Sequence, residues 1–157
     1  MIKTSLKCML CILLPLIIGA ISGYATSSNI KTWYVTLQKP FFNPPNYLFA
    51  PVWTSLYIIM GLSLFLILQS PKTELRTRSI KVFSIQLTLN FLWSFLFFQF
   101  HNLGLALLEI VVMWCSILWM IVSFYKINKT AALINIPYLL WVTFATALNA
   151  SIYFSNK

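Results

Sequence analysis

Five long apolar stretches, separated by short polar ones, make up most of this sequence. They cover approximately residues 8–26, 47–69, 80–100, 103–125 and 131–154. Each is close to the ~20 residues that an α-helix needs to cross the ~30 Å hydrocarbon layer of a bilayer. Membrane-spanning strands would be roughly half as long and would alternate in polarity. The pattern predicts an all-α membrane protein, with residues 1–157 forming a single bundle of five transmembrane helices.

The first apolar stretch has an alternative interpretation as a secretory signal peptide. Lys3 and Lys7 form a basic start, and Gly23-Tyr24-Ala25 resembles a small-residue cleavage site. The stretch is long for the apolar part of a signal peptide, and Pro15 lies in its middle. These two features favour a transmembrane helix.

Lysine and arginine are distributed unequally over the two sides of the predicted bundle. One side carries Lys3, Lys7, Lys72, Arg76, Arg78, Lys81, Lys126 and Lys129, and the other carries Lys31, Lys39 and Lys157. Because basic residues concentrate on the cytoplasmic side, we expect a cytoplasmic amino terminus and an extracytoplasmic first loop, 27–46. The net charge of +9 then reflects topology and an attraction to anionic lipid headgroups. We expect a multi-pass protein of a bacterial cell membrane, without a nucleic-acid partner.

Sites for metals or for soluble-enzyme chemistry are scarce in the sequence. Cys8 and Cys11 form a single C-x-x-C without the further ligands of a zinc site, so we predict no metal site. His101, the only histidine, lies in a two-residue turn, which favours an interfacial role. The sequence contains no phosphate-binding loop or nucleophile motif, and we expect no required cofactor. Glu109 lies inside the fourth apolar stretch, where it is either functional, or a group that snorkels or is neutral and bonded to a neighbouring helix.

Aromatic and amide side chains recur at helical spacing in three of the apolar stretches. The three stripes are Trp53, Tyr57, Met60 and Leu64; Gln86, Asn90, Trp93 and Phe97; and Tyr138, Trp141, Ala145 and Asn149. Helix packing or an interfacial position would explain any single ring. Asn90 and Trp93, however, fall near mid-membrane, where an amide and an indole N–H need a partner or a ligand. Converging stripes of this kind predict a slot for a flat, largely apolar molecule.

Four runs of residues carry a resemblance to a known family. They are Trp33-Tyr34-x-x-Leu37-x-Lys39-Pro40-x-x-x-Pro44-Pro45, Pro51-Val52-Trp53-Thr54-x-Leu56-Tyr57-x-x-Met60-Gly61, Leu87-x-Leu89-Asn90-x-x-Trp93-Ser94-x-x-Phe97-Phe98 and Pro137-Tyr138-Leu139-x-Trp141-Val142-x-Phe144-Ala145-x-x-Leu148-Asn149. In order and spacing they resemble the translocator protein family, also called tryptophan-rich sensory protein or peripheral-type benzodiazepine receptor. The resemblance is weakest in the fourth stretch.

The resemblance implies a transporter or sensor that binds porphyrins such as protoporphyrin IX, and also sterols and benzodiazepine-type ligands. Its pocket would open toward the first loop. Residues from the family motifs and from the stripes together form the predicted ligand-binding set: Tyr34, Pro44, Pro45, Trp53, Tyr57, Asn90, Trp93, Ser94, Tyr138, Trp141 and Ala145.

The resemblance also implies an alternative function and an oligomeric state. The alternative is an enzyme that degrades porphyrin in light, with Trp53 and Trp141 taking part; without a cofactor site, the chemistry would depend on the porphyrin itself. If the protein is a transporter or sensor, no catalytic residue is predicted. A homodimer is expected, and Gly19-x-x-x-Gly23 would permit close helix approach either to a second copy or within the bundle.

The first loop is unusually rich in rigid side chains. Residues 38–57 contain four prolines and six aromatic residues. Because proline fixes φ and resists helix, we predict that the segment 27–46 is a preformed lid over the mouth of the bundle, and we name it the lid loop. Lys31 and Lys39 would meet the propionates of a porphyrin. A plain interfacial loop is the other interpretation.

Overall fold

The computed structural model describes residues 4–157, which contain six α-helices and no strand. The helices are α1 (Thr4–Lys31), α2 (Phe49–Gln69), α3 (Glu74–Ser94), α4 (Leu103–Tyr125), α5 (Lys129–Leu133) and α6 (Ile136–Ser155). Helices α5 and α6 together form one span, so the described chain has five segments long and apolar enough to cross a membrane. The predicted five-helix membrane bundle is confirmed. Lys3, which was counted in the charge argument, lies outside the described residues.

The helix ends differ from the predicted limits on both sides of the bundle. Helix α1 continues to Lys31, so the lid loop is shorter than predicted and covers residues 32–45. Helix α3 begins at Glu74 rather than near residue 80, because Thr73 caps it: its hydroxyl accepts the Arg76 N–H at 3.2 Å. Apolar runs therefore underestimate helices whose first or last turns are polar.

The fifth span is interrupted near its start. Helix α5 ends at Leu133, and α6 starts at Ile136, with Pro137 in its first turn. The side-chain amide of Asn135 donates to the hydroxyl of Ser63 at 2.6 Å, and that hydroxyl donates to the Ala131 carbonyl at 2.7 Å. These bonds fasten α5 to α2.

Helix α3 ends in a wider turn next to the lid loop. Residues Phe95–Gln99 form a π-helical turn, and His101 follows with a left-handed φ of 53°. Asn102 then caps α4, its side-chain oxygen accepting the Leu105 N–H at 2.9 Å. The His101 ring stacks on Trp33 with centroids 4.1 Å apart. The histidine therefore connects the lid loop to the bundle.

The bundle has two halves of different packing. In the half remote from the lid loop, which we call the packed half, side chains such as Met60, Ile67, Phe83 and Phe124 are almost completely buried. A Cβ added to Gly61 would collide with the α1 backbone at Ile12. In the half beneath the lid loop, which we call the lid half, the helices enclose a cavity.

Candidate functional site: a cavity in the lid half

A cavity of about 650 Å³ lies between four helices of the lid half. Its walls come from α1 from Leu16 onward, the amino-terminal half of α2, the end of α3 with its π turn, and α6 from Trp141 onward. No residue of α4 lines it. The volume is within the roughly 300–1,000 Å³ typical of small-molecule sites.

Most residues predicted from the stripes and motifs meet in this cavity. Its lining includes Tyr34, Trp53, Tyr57, Asn90, Trp93, Ser94, Trp141 and Ala145. Tyr34 comes from the lid loop, and helical spacing places the other seven side chains on the inward faces of α2, α3 and α6. Their convergence is an observation of geometry, whereas contact with a ligand stays a prediction.

Three predicted residues do not line the cavity. Tyr138 is fully buried behind the wall. Pro44 and Pro45 lie in the lid loop, outside the lining. Pro45 has an extended backbone (φ −57°, ψ 139°) and its carbonyl accepts the Leu48 N–H at 3.0 Å, which starts the turn into α2. These prolines shape the lid loop.

A buried hydrogen-bond network lies at the cavity wall. The Tyr57 hydroxyl donates to the Asn90 side-chain oxygen at 2.7 Å, and the Asn90 amide donates to the Tyr138 hydroxyl at 3.1 Å. Tyr138 in turn donates to the Gln86 oxygen at 2.9 Å. Both polar atoms of Asn90 therefore have protein partners, as a buried amide requires. Asn90 positions Tyr57, and its amide is already engaged.

The tryptophans of the wall differ in how their indole N–H groups are satisfied. Trp93 donates to the Asn149 side-chain oxygen at 3.1 Å. Trp53 stacks on Tyr57 with centroids 5.8 Å apart. The buried indole nitrogen of Trp141 has no hydrogen-bond partner within residues 4–157. An unpaired buried donor is costly, so the indole N–H of Trp141 is less well satisfied than that of Trp93.

Tyr34 fixes the inner surface of the lid loop. Its side chain is almost fully buried, and its hydroxyl donates to the Asn43 oxygen at 2.7 Å. Burial raises the pKa of Tyr34 to about 12, so the hydroxyl stays a donor at physiological pH. The Lys39 ammonium lies 5.0 Å from the Tyr34 ring centroid and donates to the Leu37 carbonyl at 3.0 Å. Tyr34 thus connects the cavity to the rest of the lid loop.

Hydrogen bonds and aromatic contacts tie the lid loop to the helices. The Gln38 backbone N–H donates to the Asn156 side-chain oxygen at 2.9 Å, and the Asn156 amide donates to the Gln38 carbonyl at 2.9 Å. At the other end, Trp33 stacks on His101. The lid loop is therefore fastened to α6 and to the end of α3.

Among residues 4–157, no charged side chain lines the cavity. Lys31 ends α1, and Lys39 lies in the lid loop. Glu109 is buried on α4 away from the cavity, and neither carboxyl oxygen has a hydrogen-bond partner in the described part of the chain. The alternative in which a neutral Glu109 bonds to a neighbouring helix is therefore not observed. Residues 4–157 hold no cluster of three or more His, Cys, Asp or Glu.

The α1 wall was missed by the sequence-based site prediction. Gly19, Ala20, Gly23 and Ser27 all line the cavity. The signal was present as small residues four apart, but the Gly19-x-x-x-Gly23 pattern indicated only close helix approach. A Cβ on Gly19 would collide with the Tyr57 ring, whereas one on Gly23 would meet nothing within 4 Å. Gly19 therefore serves packing within the bundle, and Gly23 faces open space.

Known proteins resemble this chain over most of its length. The profile of the TspO/MBR family matches residues 11–154. A tryptophan-rich protein TspO of Archaeoglobus fulgidus is 40% identical over 151 residues, covering 96% of this chain and 97% of that protein. The tryptophan-rich sensory protein of Cereibacter sphaeroides is 35% identical over 117 residues, 74% of this chain and 72% of its own. The human translocator protein is 32% identical over 126 residues, 79% and 75% of the two chains. This chain is a multi-pass membrane protein that belongs to the TspO/MBR family.

Proposed function

We propose that this protein binds a flat, largely apolar tetrapyrrole, protoporphyrin IX or a close relative, and acts as its transporter or sensor. The supporting observation is the cavity of about 650 Å³, walled by the indoles of Trp53, Trp93 and Trp141 and free of charged side chains. Aromatic walls favour a flat ring through area burial and stacking. The names of the relatives, translocator protein and tryptophan-rich sensory protein, agree with transport or sensing.

The polar edge of such a ligand would lie toward the lid loop. A porphyrin carries its propionates on one edge, and the cavity offers them no cation. Lys31 and Lys39, at the end of α1 and in the lid loop, are the nearest cations in sequence to the cavity residue Tyr34. The macrocycle would then lie among the tryptophans.

Sterols and benzodiazepine-type ligands are further proposed ligands, because their apolar rings suit the same cavity. A homodimer is proposed without an assigned interface.

The proposed orientation, with a cytoplasmic amino terminus and an extracytoplasmic lid loop, has a direct test. Phe41→Cys in the exposed lid loop should react with an impermeant thiol reagent in whole cells, whereas Lys72→Cys between α2 and α3 should not. Wild-type protein controls for the native cysteines, and the reverse labelling would overturn the orientation.

Equilibrium binding tests the proposed site. Protoporphyrin IX fluorescence should report wild-type binding that Trp53→Ala and Trp141→Ala weaken roughly tenfold or more, since each removes an aromatic wall. Trp119→Ala is the matched control, because Trp119 lies on the outer face of α4 and is 53% exposed. Equal affinities in folded wild-type and variant proteins would place the site elsewhere.

Illumination tests the alternative, light-dependent porphyrin degradation. Two tryptophans, Trp53 and Trp141, face one cavity, which is the geometry that this chemistry would use. Purified protein with protoporphyrin IX would be illuminated while absorbance is followed. Binding without a new protein-dependent product supports a transporter or sensor. A new bound product that Trp141→Phe abolishes would establish the enzyme.

A further inference from the structure

Helices α1 and α2 contact closely in the packed half and separate in the lid half. At Gly61 the two backbones are so close that an added Cβ would collide with Ile12. At Gly19, further along α1, the neighbour is the Tyr57 side chain instead of the α2 backbone. At Gly23 nothing lies within 4 Å of an added Cβ. The space between the two helices therefore widens toward the lid loop.

Exposed side chains line the cavity along both edges of this space. On α1 they are Ala20, Tyr24 and Ser27, and on α2 they are Ala50 and Thr54. Tyr24 is 87% exposed. A side chain that is open to the surroundings and also lines the cavity lies at its rim. These five residues therefore border an opening in the side of the bundle, which we name the lateral portal.

The lateral portal opens within membrane-spanning sequence. Its α1 edge belongs to the apolar span Thr4–Lys31, and its α2 edge belongs to the span Asn46–Gln69. The rim contains two alanines, two hydroxyl residues and one tyrosine, and no charge. Such an edge faces hydrocarbon at little cost, because helix backbones satisfy their own polar groups and Ser and Thr hydroxyls bond the preceding turn. Thr54 does so, donating to the Ala50 carbonyl at 2.8 Å.

The lid loop, by contrast, covers the end of the bundle. It is held by the reciprocal Gln38–Asn156 hydrogen bonds and by the Trp33–His101 stack. Passage through this end would require these contacts to break, whereas in the described part of the chain no hydrogen bond or aromatic contact joins the α1 rim residues to the α2 rim residues. Exposed side chains rotate within picoseconds to nanoseconds.

We infer that the ligand of this cavity enters and leaves through the lateral portal, directly from the lid-side half of the bilayer. The inference rests on the proposed binding function and narrows its ligand class: a molecule that dissolves in the membrane, with an apolar body and with its charged groups on one edge. Those groups would stay at headgroup depth, beside the lid loop, while the body moves sideways into the cavity.

Binding kinetics in lipid vesicles test the route. Protein would be reconstituted in phosphatidylcholine vesicles, and protoporphyrin IX fluorescence would be followed after mixing with porphyrin-loaded vesicles and after transfer to empty ones. Thr54→Phe and Ala20→Phe narrow the lateral portal. Their matched controls are Ser55→Phe and Ala25→Phe, because Ser55 and Ala25 are neighbouring residues that are also exposed but do not line the cavity. Asn156→Ala removes the two hydrogen bonds between Asn156 and Gln38 that hold the lid loop to the end of α6.

The expected result is a kinetic effect confined to the portal variants. Thr54→Phe and Ala20→Phe should slow association and dissociation by similar factors, roughly tenfold, because an obstructed passage raises the barrier in both directions. The two control variants and Asn156→Ala should keep wild-type rates. Thermal midpoints would verify that all variants are folded.

Two results would count against these claims in distinguishable ways. Wild-type binding with portal variants as fast as their controls, or with Asn156→Ala accelerating both rates, would overturn the lateral portal and leave the binding function standing. A folded wild-type protein that binds no porphyrin at equilibrium would overturn the proposed function itself.

Discussion

The packed half and the lid half share helices α1, α2, α3 and α6 and similar apolar residues, yet one is densely packed and the other holds a cavity. In the packed half, Met60, Ile67, Met113 and Ile117 are completely buried. In the lid half, Trp53, Trp93 and Trp141 are only partly buried and border open space. Hydrophobicity therefore does not distinguish the halves. The shapes of the opposing surfaces do.

Small residues contribute to close packing in one place and to open space in another, depending on which group of the neighbouring helix faces them. The absence of a side chain lets the α1 backbone pack against Gly61 and the Tyr57 ring pack against Gly19, so no gap remains at either position. Gly23, one helical turn after Gly19, has no group packed against it, so a gap remains there. Small residues in membrane helices usually allow close packing, driven by van der Waals contact. When bulky neighbours hold the helices apart, the same residues enlarge a cavity.

Alanine at each of two glycines should give the largest and most direct contrast between the halves. Gly61→Ala should destabilise the protein by about 1–3 kcal/mol, because its Cβ meets backbone that cannot change rotamer. Gly23→Ala should be neutral or stabilise by up to ~1 kcal/mol, since the new methyl fills open space and alanine favours helix. Thermal unfolding in detergent would measure both. Equal shifts would show that the halves do not differ in packing at these positions.

A smaller effect is expected at the boundary between the halves. Asn90→Ala would leave the hydroxyls of Tyr57 and Tyr138 without their amide partner. The expected loss of stability is about 1–2 kcal/mol, above the ~0.6 kcal/mol average for hydrogen bonds in membranes because two groups are affected. Ser94→Ala, one turn further along the same cavity wall and outside this network, is the matched control. A loss for Asn90→Ala no greater than the control's would mean that the network adds little to stability.

The stripes predicted which helix faces converge, but they did not predict how polar groups are shared. Spacing identified Trp53, Asn90 and Trp141 as inward-facing residues, because helical periodicity is local and readable from sequence. The sequence-based interpretation assigned the Asn90 amide to a partner or a ligand. The structure gives both of its polar atoms to tyrosines, and leaves Trp141 as the unpaired donor. Pairing of this kind depends on the relative rotation of α2, α3 and α6, which no single helix encodes.

The α1 wall and the lid loop show where sequence reasoning reaches its limit for different reasons. Gly23 and Ser27 carry no side-chain signal of a site, since their contribution is the space that they leave. The lid loop was predicted from its prolines, yet it is fastened by Gln38 and Asn156, which are far apart in the chain. Such a contact follows only from the tertiary arrangement. The five spans, in contrast, follow from length and hydropathy alone.

The smallest predicted effect concerns the tightness of the lid loop over the lid half. Burial raises the pKa of Tyr34 to about 12 from its ordinary value of 10.0, so between these pH values the folded protein keeps this proton while the unfolded chain loses it. The contribution of Tyr34 to stability is therefore fully present below pH 10 and is lost as the pH rises toward 12. Tyrosinate absorbance, measured as the difference between wild type and Tyr34→Phe, should show a midpoint near 12. The other six tyrosines cancel in this difference. A midpoint near 10 in folded protein would mean that water reaches the Tyr34 hydroxyl, and that the lid loop does not stay closed over it.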